Sequence, residues 1–316
     1  MNTISHAVLI ADDFHPSLMA RFEQLGIPFL YVPMADRAEI IALLQQGCQG
    51  LVIRSKTPVD EEILMASSQL KWVARGGSGM DNIDVQAAKR LGVDVFNAAA
   101  ANADSVAEHT LGMLLSLLHN LARADAEVRK RLWRREENRG TELKGKTVGI
   151  IGFGNTGTAV AERLQGFGVS VLAYDKYKQN FGNKQVKEVD LETIQRHSDI
   201  ITLHIPLTEE TRCMVDADFI RACKMPFYLL NLSRGEVVNT MEVISALKNN
   251  HIAGFAADVL EKEQIQHFTD KENAWFDPLI LHTRTVLSPH IGGWSYESYQ
   301  KISQVLADEI CHRMSL

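Results

Sequence analysis

The hydrophobic residues of this chain fall into short blocks that alternate with longer amphipathic stretches almost from end to end. In the N-terminal third, five blocks rich in β-branched and aromatic residues predict strands: "AVLIA", "FLYV", "GLVIRS", "KWVARG" and "VDVFNA". Segments between them, such as "AEIIALLQQ" and "DVQAAKRLG", have the spacing of helices. Strand–helix alternation of this kind predicts a parallel sheet with helices on both faces.

A second alternating series follows a long helical segment. Apolar residues at helical spacing over residues 105 to about 133 predict one long helix, which connects two units or forms an interface. Strands then follow in "KTVGIIG", "VSVLAYD", "DIITLHI", "FYLLNLS", "AGFAADV" and "TVLSPH", and residues 296–310 predict a final helix. With no low-complexity linker, the chain is predicted to form two α/β units joined through the long helix.

The composition is that of a globular protein with enough residues for two cores. The 316 residues are 46% hydrophobic and 23% charged. A formal net charge of −6 argues against a general nucleic-acid binder, and we interpret the basic run at residues 129–135 as a solvated helix face. The most apolar helical stretch, residues 111–121, is shorter than the roughly 20 residues that a membrane span needs. We therefore expect neither a nucleic-acid nor a membrane partner.

The cysteines and the N-terminus indicate the compartment. Four cysteines lie far apart without paired spacing, which predicts neither a metal site nor a disulfide framework and favours the reducing cytoplasm: Cys48, Cys213, Cys223 and Cys311. The first apolar run, residues 7–10, meets Asp12 and Asp13 at once and lacks a basic flank. It predicts a strand rather than a signal peptide.

Three glycines in a G-x-G-x-x-G pattern stand between a predicted strand and a predicted helix. Gly152 permits a tight turn, Gly154 lets the backbone approach a pyrophosphate, and Gly157 lets helix and strand pack closely. A second strand ends at Asp175, about 20 residues further on, where a carboxylate would bind the adenosine ribose hydroxyls. The pattern predicts a dinucleotide site for NAD, because an acidic residue there repels the 2′-phosphate of NADP. Two nearby lysines leave the strictness of that preference open.

Three later strand ends carry polar residues that suit one reaction. Arg234 offers a planar fork for a carboxylate, and His290 has a side chain suited to proton transfer near neutral pH. A carboxylate paired with that histidine would orient it, and both Glu261 and Glu263 are candidates. Beside a nicotinamide, this set suits hydride exchange between a 2-hydroxy acid and a 2-oxo acid.

With these motifs in series, the sequence resembles the D-isomer-specific 2-hydroxyacid dehydrogenases over essentially its whole length. The matching pieces occur in family order: "RGGSGMDNID", "SVAEHTLGMLL", "LKGKTVGIIGFGNTG", "NLSRGEVV", "AADVLEKE" and "SPHIGGW". The resemblance implies two doubly wound parallel-sheet domains with the cleft between them. A flavodoxin-like substrate domain would comprise residues 1–99 completed by 289–316, and a Rossmann NAD-binding domain would comprise residues 100–288.

The resemblance also implies roles for individual residues. The catalytic residues would be Arg234, Glu263 and His290, with Glu263 preferred over Glu261 by family register. The cofactor site would comprise the following residues: Gly152, Gly154, Asn155, Thr156, Gly157, Asp175, Ile205, Leu232, Ser233, Arg234, Asp258, His290 and Gly293. Ser78 and Gly79 would lie on the substrate loop. His109 and His119, on the long helix, are expected to be packing or interface residues, and no metal is implied.

Within the family the chain is most similar to D-3-phosphoglycerate dehydrogenases, enzymes of serine biosynthesis, on the stretches "GLVIRSKTPV", "VARGGSGMDNID" and "LWRRE". This similarity makes Arg54, Arg75 and Arg135 candidates for gripping a substrate phosphate. It also implies a homodimer in which Arg135 reaches the neighbouring subunit's site. The chain ends soon after its last helix, so we expect no serine-binding regulatory domain.

The sequence also departs from the family pattern on both sides of the predicted cleft. No proline follows Phe96 in "NAAAANADSVAE", and Gln264 stands where a proline is familiar, before a long polar stretch at residues 266–278. Substrate choice therefore stays open between the phosphorylated acid and glyoxylate or hydroxypyruvate. A non-enzymatic NADH-binding partner protein, of the corepressor kind, is a further alternative. Formate oxidation is disfavoured, because it has no need of a glutamate paired with the histidine.

Overall fold

In the computed structural model, which describes residues 7–314, the chain divides into two compact units. One comprises Met1–Asn102 with Trp294–Leu316, and the other comprises Ala103–Gly293. The boundaries expected from the sequence, 99/100 and 288/289, lie slightly before these points. Which unit takes the substrate stays a prediction. Within residues 7–314, no helix combines the length and the apolar character that crossing a bilayer requires.

The first unit is built on a five-stranded parallel sheet. Its strands are β1 (Val8–Ile10), β2 (Phe29–Tyr31), β3 (Gly50–Ile53), β4 (Trp72–Arg75) and β5 (Asp94–Asn97). Their order, β2-β1-β3-β4-β5, is that of flavodoxin-like folds. Strands β1 and β3 are buried along their whole length, which explains why they are continuous apolar runs rather than alternating ones.

Four helices of this unit begin close to the residues where the sequence supplies a cap or a proline. They are α1 (Ser17–Gln24), α2 (Arg37–Leu44), α3 (Glu61–Met65) and α4 (Val85–Leu91). The side chains of Asp36, Asp60 and Asp84 each accept the backbone N–H three residues on. These carboxylates satisfy donors that the first helical turn leaves without a partner, and so fix where α2, α3 and α4 start.

The second unit is built on a seven-stranded parallel sheet. Its strands are β6 (Thr147–Ile151), β7 (Ser170–Tyr174), β8 (Val186–Glu188), β9 (Ile200–Leu203), β10 (Phe227–Asn231), β11 (Ile252–Ala257) and β12 (Thr285–Leu287). The order is β12-β11-β10-β9-β6-β7-β8, so the chain reverses direction across the sheet between β6 and β9. This is the Rossmann order with an added edge strand. The predicted fold class, two doubly wound parallel-sheet domains, is confirmed.

The helices of the second unit correct one prediction. They are α5 (Ala103–Leu118), α6 (Leu121–Arg129), α7 (Asn155–Leu164), α8 (Leu191–His197), α9 (Ala217–Ala222), α10 (Thr240–Lys248) and α11 (Asp270–Ile280). The single long helix expected over residues 105–133 is wrong: the chain breaks at Asn120, whose φ of 54° is left-handed. Asparagine adopts this conformation more readily than most residues, so it can separate α5 from α6 without a glycine.

The polar stretch after Glu263 also proves to be ordered. Thr269 and Glu272 form a capping box, in which the Thr269 hydroxyl accepts the Glu272 N–H while the Glu272 carboxylate accepts the Thr269 N–H. This box starts α11, which buries Phe276 and Leu279 against the core of the second unit. The segment is therefore a packed helix rather than a long loop.

The final helix, α12 (Tyr296–Arg313), belongs to the first unit and runs slightly beyond its predicted end at residue 310. Ser295 caps it by accepting the Ser298 N–H. Its inner face buries Ile302, Leu306 and Ile310 in the same core as Val8 and Ile10 of β1. The C-terminal segment thereby completes the hydrophobic core of the first unit.

Candidate active site

In the turn after β6, two of the three glycines, Gly152 and Gly157, leave no room for a side chain. Gly152 has a φ of 93°, and a Cβ there would lie 2.4 Å from the carbonyl oxygen of His204 and 2.8 Å from the Ile205 side chain. A Cβ on Gly157 would lie 2.0 Å from the Gly152 carbonyl oxygen. Because both positions are glycines, the start of α7 can pack closely against the ends of β6 and β9, as a dinucleotide turn requires.

Gly154 differs from its two neighbours because a Cβ there would meet no atom within 4 Å. It occupies the N-cap position of α7, and no side chain caps this helix. The first backbone N–H groups of α7, including those of Asn155 and Thr156, are thus available to an anion at the positive end of the helix dipole. Open space beside Gly154 and uncapped donors behind it fit the pyrophosphate of a dinucleotide.

Asp175 follows β7 directly and is held by the glycine turn. Its Oδ2 accepts the Phe153 N–H at 2.8 Å, and its Oδ1 accepts the N–H groups of Tyr177 and Lys178 at 2.9 and 3.0 Å. A carboxylate fixed here, beside the turn, is in the right place to recognise ribose hydroxyls. The arrangement therefore fits NAD.

Both lysines near Asp175 are already engaged. The Lys178 ammonium donates to the Phe153 carbonyl at 3.0 Å, and Lys176 forms an ion pair with Glu210. That ion pair raises the pKa of Lys176 and lowers the pKa of Glu210. Neither ammonium is free to receive a 2′-phosphate without first giving up its partner.

The carboxyl ends of three neighbouring strands carry the remaining polar residues. Strands β10, β11 and β12 lie side by side in the sheet, and they lead into Arg234, into Asp258 with Glu263, and into His290 respectively. In doubly wound sheets ligands bind at this edge. Of the other predicted cofactor residues, Ile205 follows β9, Leu232 and Ser233 follow β10, and Gly293 ends the unit.

A buried asparagine shapes the turn that presents Arg234. The Asn231 Oδ1 accepts both the N–H and the hydroxyl of Ser233, at 3.1 and 2.8 Å, and its Nδ2 donates to the Arg234 carbonyl at 2.8 Å. The Arg234 guanidinium donates back to the Ser233 carbonyl at 2.7 Å. Three short-range bonds from one side chain thus fix the backbone on which Arg234 stands.

Asp258 is the anchor beneath the segment that carries His290. Its backbone carbonyl accepts the His290 N–H at 2.8 Å, and its carboxylate accepts the Ser288 hydroxyl and the N–H groups of Ile291 and Gly292 at 2.6 to 2.9 Å. Burial alone would raise the pKa of this carboxyl. The hydrogen bonds, with a contribution from His109, lower the pKa of Asp258 to about 2. The place of Asp258 at the cofactor, which the resemblance implies, stays a prediction; in the structure its oxygens accept donors of the segment 288–292.

His290 and Glu263 form a pair of titratable side chains at this edge. The His290 Nδ1 lies 2.9 Å from Glu263 Oε1 and 3.0 Å from Oε2. His290 has a left-handed φ of 57°, and both side chains are partly exposed, so the other ring nitrogen can face a ligand. The pair has the geometry of a histidine oriented by a carboxylate. Glu261, the alternative weighed from the sequence, is instead hydrogen-bonded to Thr240.

The predicted substrate-binding arginines are divided between the units. Arg54 follows β3, and Arg75 ends β4, with its guanidinium packed over Gly77. Ser78 and Gly79 lie in the segment after β4, where the Asn97 amide donates to the Ser78 carbonyl at 2.7 Å. Arg135 belongs to the second unit and is exposed in the segment after α6.

Two supporting residues were not recognised as such from the sequence. His109, expected to serve packing or an interface, has its Nε2 2.9 Å from the Ser288 hydroxyl and 3.5 Å from Asp258. Asn231 was passed over although it ends a buried apolar strand, a position where a polar side chain needs an explanation. That anomaly was the one available signal, since the partners of His109 are far away in sequence. Within residues 7–314, no group of three metal-ligating side chains is close enough to hold a metal ion.

Comparison with known proteins also identifies the second unit as an NAD-binding domain. Residues 111–292 match the family model described as D-isomer specific 2-hydroxyacid dehydrogenase, NAD binding domain. A D-3-phosphoglycerate dehydrogenase from Mycobacterium leprae is 34% identical over 306 residues, which cover 96% of this chain and 56% of that protein. The chain thus spans little more than half the length of the curated relatives that it matches.

Two solved structures share the fold over nearly the whole chain. A D-lactate dehydrogenase from Aquifex aeolicus, complexed with NAD and lactic acid, superposes with a TM-score of 0.85 and 25% identity, covering 98% of this chain and 96% of that one. An acyclic imino acid reductase in complex with NADPH and D-Arg gives a TM-score of 0.86 and 26% identity, covering 98% and 97%.

Proposed function

This chain belongs to the D-isomer-specific 2-hydroxyacid dehydrogenase family, and from that premise we propose that it transfers a hydride between NAD and C2 of a small D-2-hydroxy acid. The observation that carries the proposal is the pair formed by His290 and Glu263, with His290 Nδ1 2.9 Å from Glu263 Oε1. It stands at the same sheet edge as Arg234, in the NAD-binding domain that also carries the glycine turn.

Each residue of the proposed site has a task in the reductive direction. Arg234 binds the substrate carboxylate through its planar fork and so orients the 2-oxo group. Glu263 accepts a hydrogen bond from Nδ1–H of protonated His290, which leaves Nε2–H to give its proton to the 2-oxo oxygen as it becomes a hydroxyl. When bound, NADH supplies the hydride that is added to C2. In the oxidative direction the same Nε2 takes the hydroxyl proton.

The decisive experiment measures NADH consumption by the purified protein with 3-phosphohydroxypyruvate, hydroxypyruvate and glyoxylate. His290→Ala should lower kcat by about 10² to 10⁴, the scale of positioned acid–base catalysis. Glu263→Gln should lower it in the same direction. Glu261→Gln is the matched control, since that carboxylate bonds to Thr240 rather than to His290. A His290→Ala enzyme with near-normal kcat would remove the assignment.

For the substrate, we propose D-3-phosphoglycerate and 3-phosphohydroxypyruvate. The support is the similarity to D-3-phosphoglycerate dehydrogenases and the set of candidate phosphate-binding arginines, Arg54, Arg75 and Arg135. Arg54→Ala should lose affinity for 3-phosphohydroxypyruvate and keep its affinity for hydroxypyruvate. Equal effects on the two acids would remove the phosphate role.

A preference for unphosphorylated acids is the second candidate, favoured by the solved neighbour complexed with lactic acid. It would keep the proposed mechanism and discard the phosphate role. A non-enzymatic NADH-binding protein is the third candidate. It predicts NADH binding without turnover of any of the three oxo acids, so the same assay separates all three.

We further propose that the protein is a cytoplasmic homodimer. Its support is a group of exposed apolar side chains on α6 and just after it, Leu121, Val128, Leu132 and Trp133, beside Arg135. Light scattering coupled to size-exclusion chromatography should give twice the chain mass of 35.3 kDa. Trp133→Glu should shift that mass toward the monomer by placing a charge among apolar side chains.

A further inference from the structure

The guanidinium of Arg54 lies among aromatic rings of the first unit. Its central carbon is 4.4 Å from the centroid of the Trp294 ring, 5.4 Å from that of Tyr299 and 6.0 Å from that of Phe14. These distances are within the range of cation–π attraction, which is strongest for tryptophan. No carboxylate in residues 7–314 forms an ion pair with this guanidinium.

The backbone of Arg54 is fixed by two side chains from other segments. Its N–H donates to Asp12 Oδ2 at 2.6 Å, and its carbonyl accepts from the Asn82 amide at 2.8 Å. A Cβ on Gly76 would come within 3.4 Å of the Arg54 Cγ, so the arginine stem packs over a glycine. The Arg54 guanidinium also donates to the Asp13 carbonyl oxygen at 3.5 Å. The arginine is therefore held from its backbone to its guanidinium, and the Trp294 ring lies over the guanidinium.

The two nearest carboxylates are engaged by other donors. Asp13 accepts the Tyr31 hydroxyl at 2.9 Å and the Tyr299 hydroxyl at 2.7 Å, and Asp12 accepts the Arg54 backbone. Burial lowers the pKa of Arg54 and outweighs the charges of Asp12 and Asp13, which act to raise it, although a guanidinium stays charged. The site thus offers a desolvated, oriented cation to an incoming anion.

Trp294 itself is not placed there by core packing. Its side chain is 65% exposed, which is uncommon for a tryptophan. Apart from the Arg54 guanidinium, it neighbours the Tyr299 ring, with the two ring centroids 6.4 Å apart. A large ring that stays in water and lies over a guanidinium gains mainly from that cation and restricts its rotamers.

Resting on the proposed function, we propose that Trp294 is a positioning residue that fixes Arg54 for the distal anionic group of the substrate. It thereby sets the preference for a 2-oxo acid with a terminal phosphate over one without. Trp294 acts through Arg54 and takes no part in proton or hydride transfer.

The test compares kcat/KM for 3-phosphohydroxypyruvate with kcat/KM for hydroxypyruvate. Trp294→Ala should lower the ratio of the two values about two- to fivefold, through KM for the phosphorylated acid, in line with a cation–π contact made by an exposed ring. Trp294→Phe keeps an aromatic face and should restore most of the ratio. Tyr296→Ala is the matched control, because that aromatic ring, two residues on, is 93% exposed. It should leave the ratio unchanged.

If Trp294 acts through Arg54, Trp294→Ala should change the kcat/KM ratio only while Arg54 is present. In an Arg54→Ala background, adding Trp294→Ala should produce no further fall in the ratio. An additional fall there would overturn the inference. A Trp294→Ala enzyme that keeps the ratio, or one that loses kcat equally for both acids, would overturn it too.

A binding measurement separates this inference from the proposed activity. Calorimetric titration with 3-phosphoglycerate and with glycerate requires no turnover. Weaker binding of 3-phosphoglycerate by Trp294→Ala, with Tyr296→Ala unaffected, would support the role of Trp294 even if none of the oxo acids is reduced. Equal affinity in both variants, or no binding of 3-phosphoglycerate by the unaltered protein, would overturn it. Circular dichroism melting of each variant checks that the fold is retained.

Discussion

Replacing Asp258 by asparagine removes the one buried carboxylate that holds the His290 segment. Asp258 is 3% exposed, and its oxygens accept the Ser288 hydroxyl and the N–H groups of Ile291 and Gly292. Asparagine keeps one oxygen but turns the other acceptor into an NH2 donor, which cannot accept from a hydroxyl or an N–H. At least one buried donor of the segment 288–292 would then lose its partner.

The size of the effect follows from the pKa. The pKa of Asp258 is lowered from 3.8 to about 2, a shift of almost two units, which corresponds to about 2.5 kcal/mol of stability. Because the folded-state pKa lies below the unfolded one, this stability is fully present above the ordinary aspartate pKa. It is lost as the pH falls through about 2. A lost hydrogen bond to a charged acceptor is itself worth about 1.5 to 3 kcal/mol.

We therefore expect Asp258→Asn to lower the free energy of unfolding by about 2 to 4 kcal/mol at pH 7. Urea denaturation followed by far-UV circular dichroism measures it, repeated at pH 7, 5, 4 and 3. The difference in unfolding free energy between the variant and the unaltered protein should narrow below pH 4, as the Asp258 carboxyl of the unfolded chain begins to protonate. Asp277→Asn, an exposed aspartate on α11, is the control and should change little. A difference in unfolding free energy below about 0.5 kcal/mol at pH 7, or a difference that does not depend on pH, would refute the reasoning.

Three further predictions concern the nucleotide turn. Gly154→Ala should leave the melting temperature unchanged and weaken NADH binding at least tenfold, because its Cβ meets open space in the protein but would meet the pyrophosphate. Gly157→Ala should destabilise the second unit by about 1 to 3 kcal/mol, since its Cβ would lie 2.0 Å from the Gly152 oxygen; an unchanged melting temperature would contradict the packing argument. Glu210→Ala frees Lys176 and should raise the ratio of NADPH to NADH turnover severalfold, whereas an unchanged ratio would show that this lysine does not reach the 2′-phosphate.

The fold was accessible from the sequence because parallel strands buried on both faces are continuous apolar runs. The glycine turn was accessible because its spacing and flanking elements are local. The break at Asn120 was not, since the apolar spacing continues across it and only the backbone conformation of one residue ends the helix. The helix α11 was missed although its capping box, Thr269 to Glu272, is a local signal, because the polar composition around it is typical of a loop.

The hydrogen-bond partners of the acidic residues in the candidate site could not be predicted from the sequence. Alignment with the family motif favours Glu263 over Glu261, but only the structure shows their partners. Glu263 pairs with His290, and Glu261 is hydrogen-bonded to Thr240. The role of Asp258 is equally non-local, because the donors that occupy it lie 30 to 34 residues away.

That non-local anchor also accounts for the backbone of His290. A left-handed φ of 57° costs a non-glycine residue on the order of 1 to 3 kcal/mol. The bond from the His290 N–H to the Asp258 carbonyl and the two backbone bonds to its carboxylate offset that strain. The conformation turns the imidazole toward Glu263 while the charge of Asp258 stays buried and satisfied. One carboxylate therefore stabilises the turn and another orients the ring, so that stability and the proposed proton transfer rest on different acidic residues of the same sheet edge.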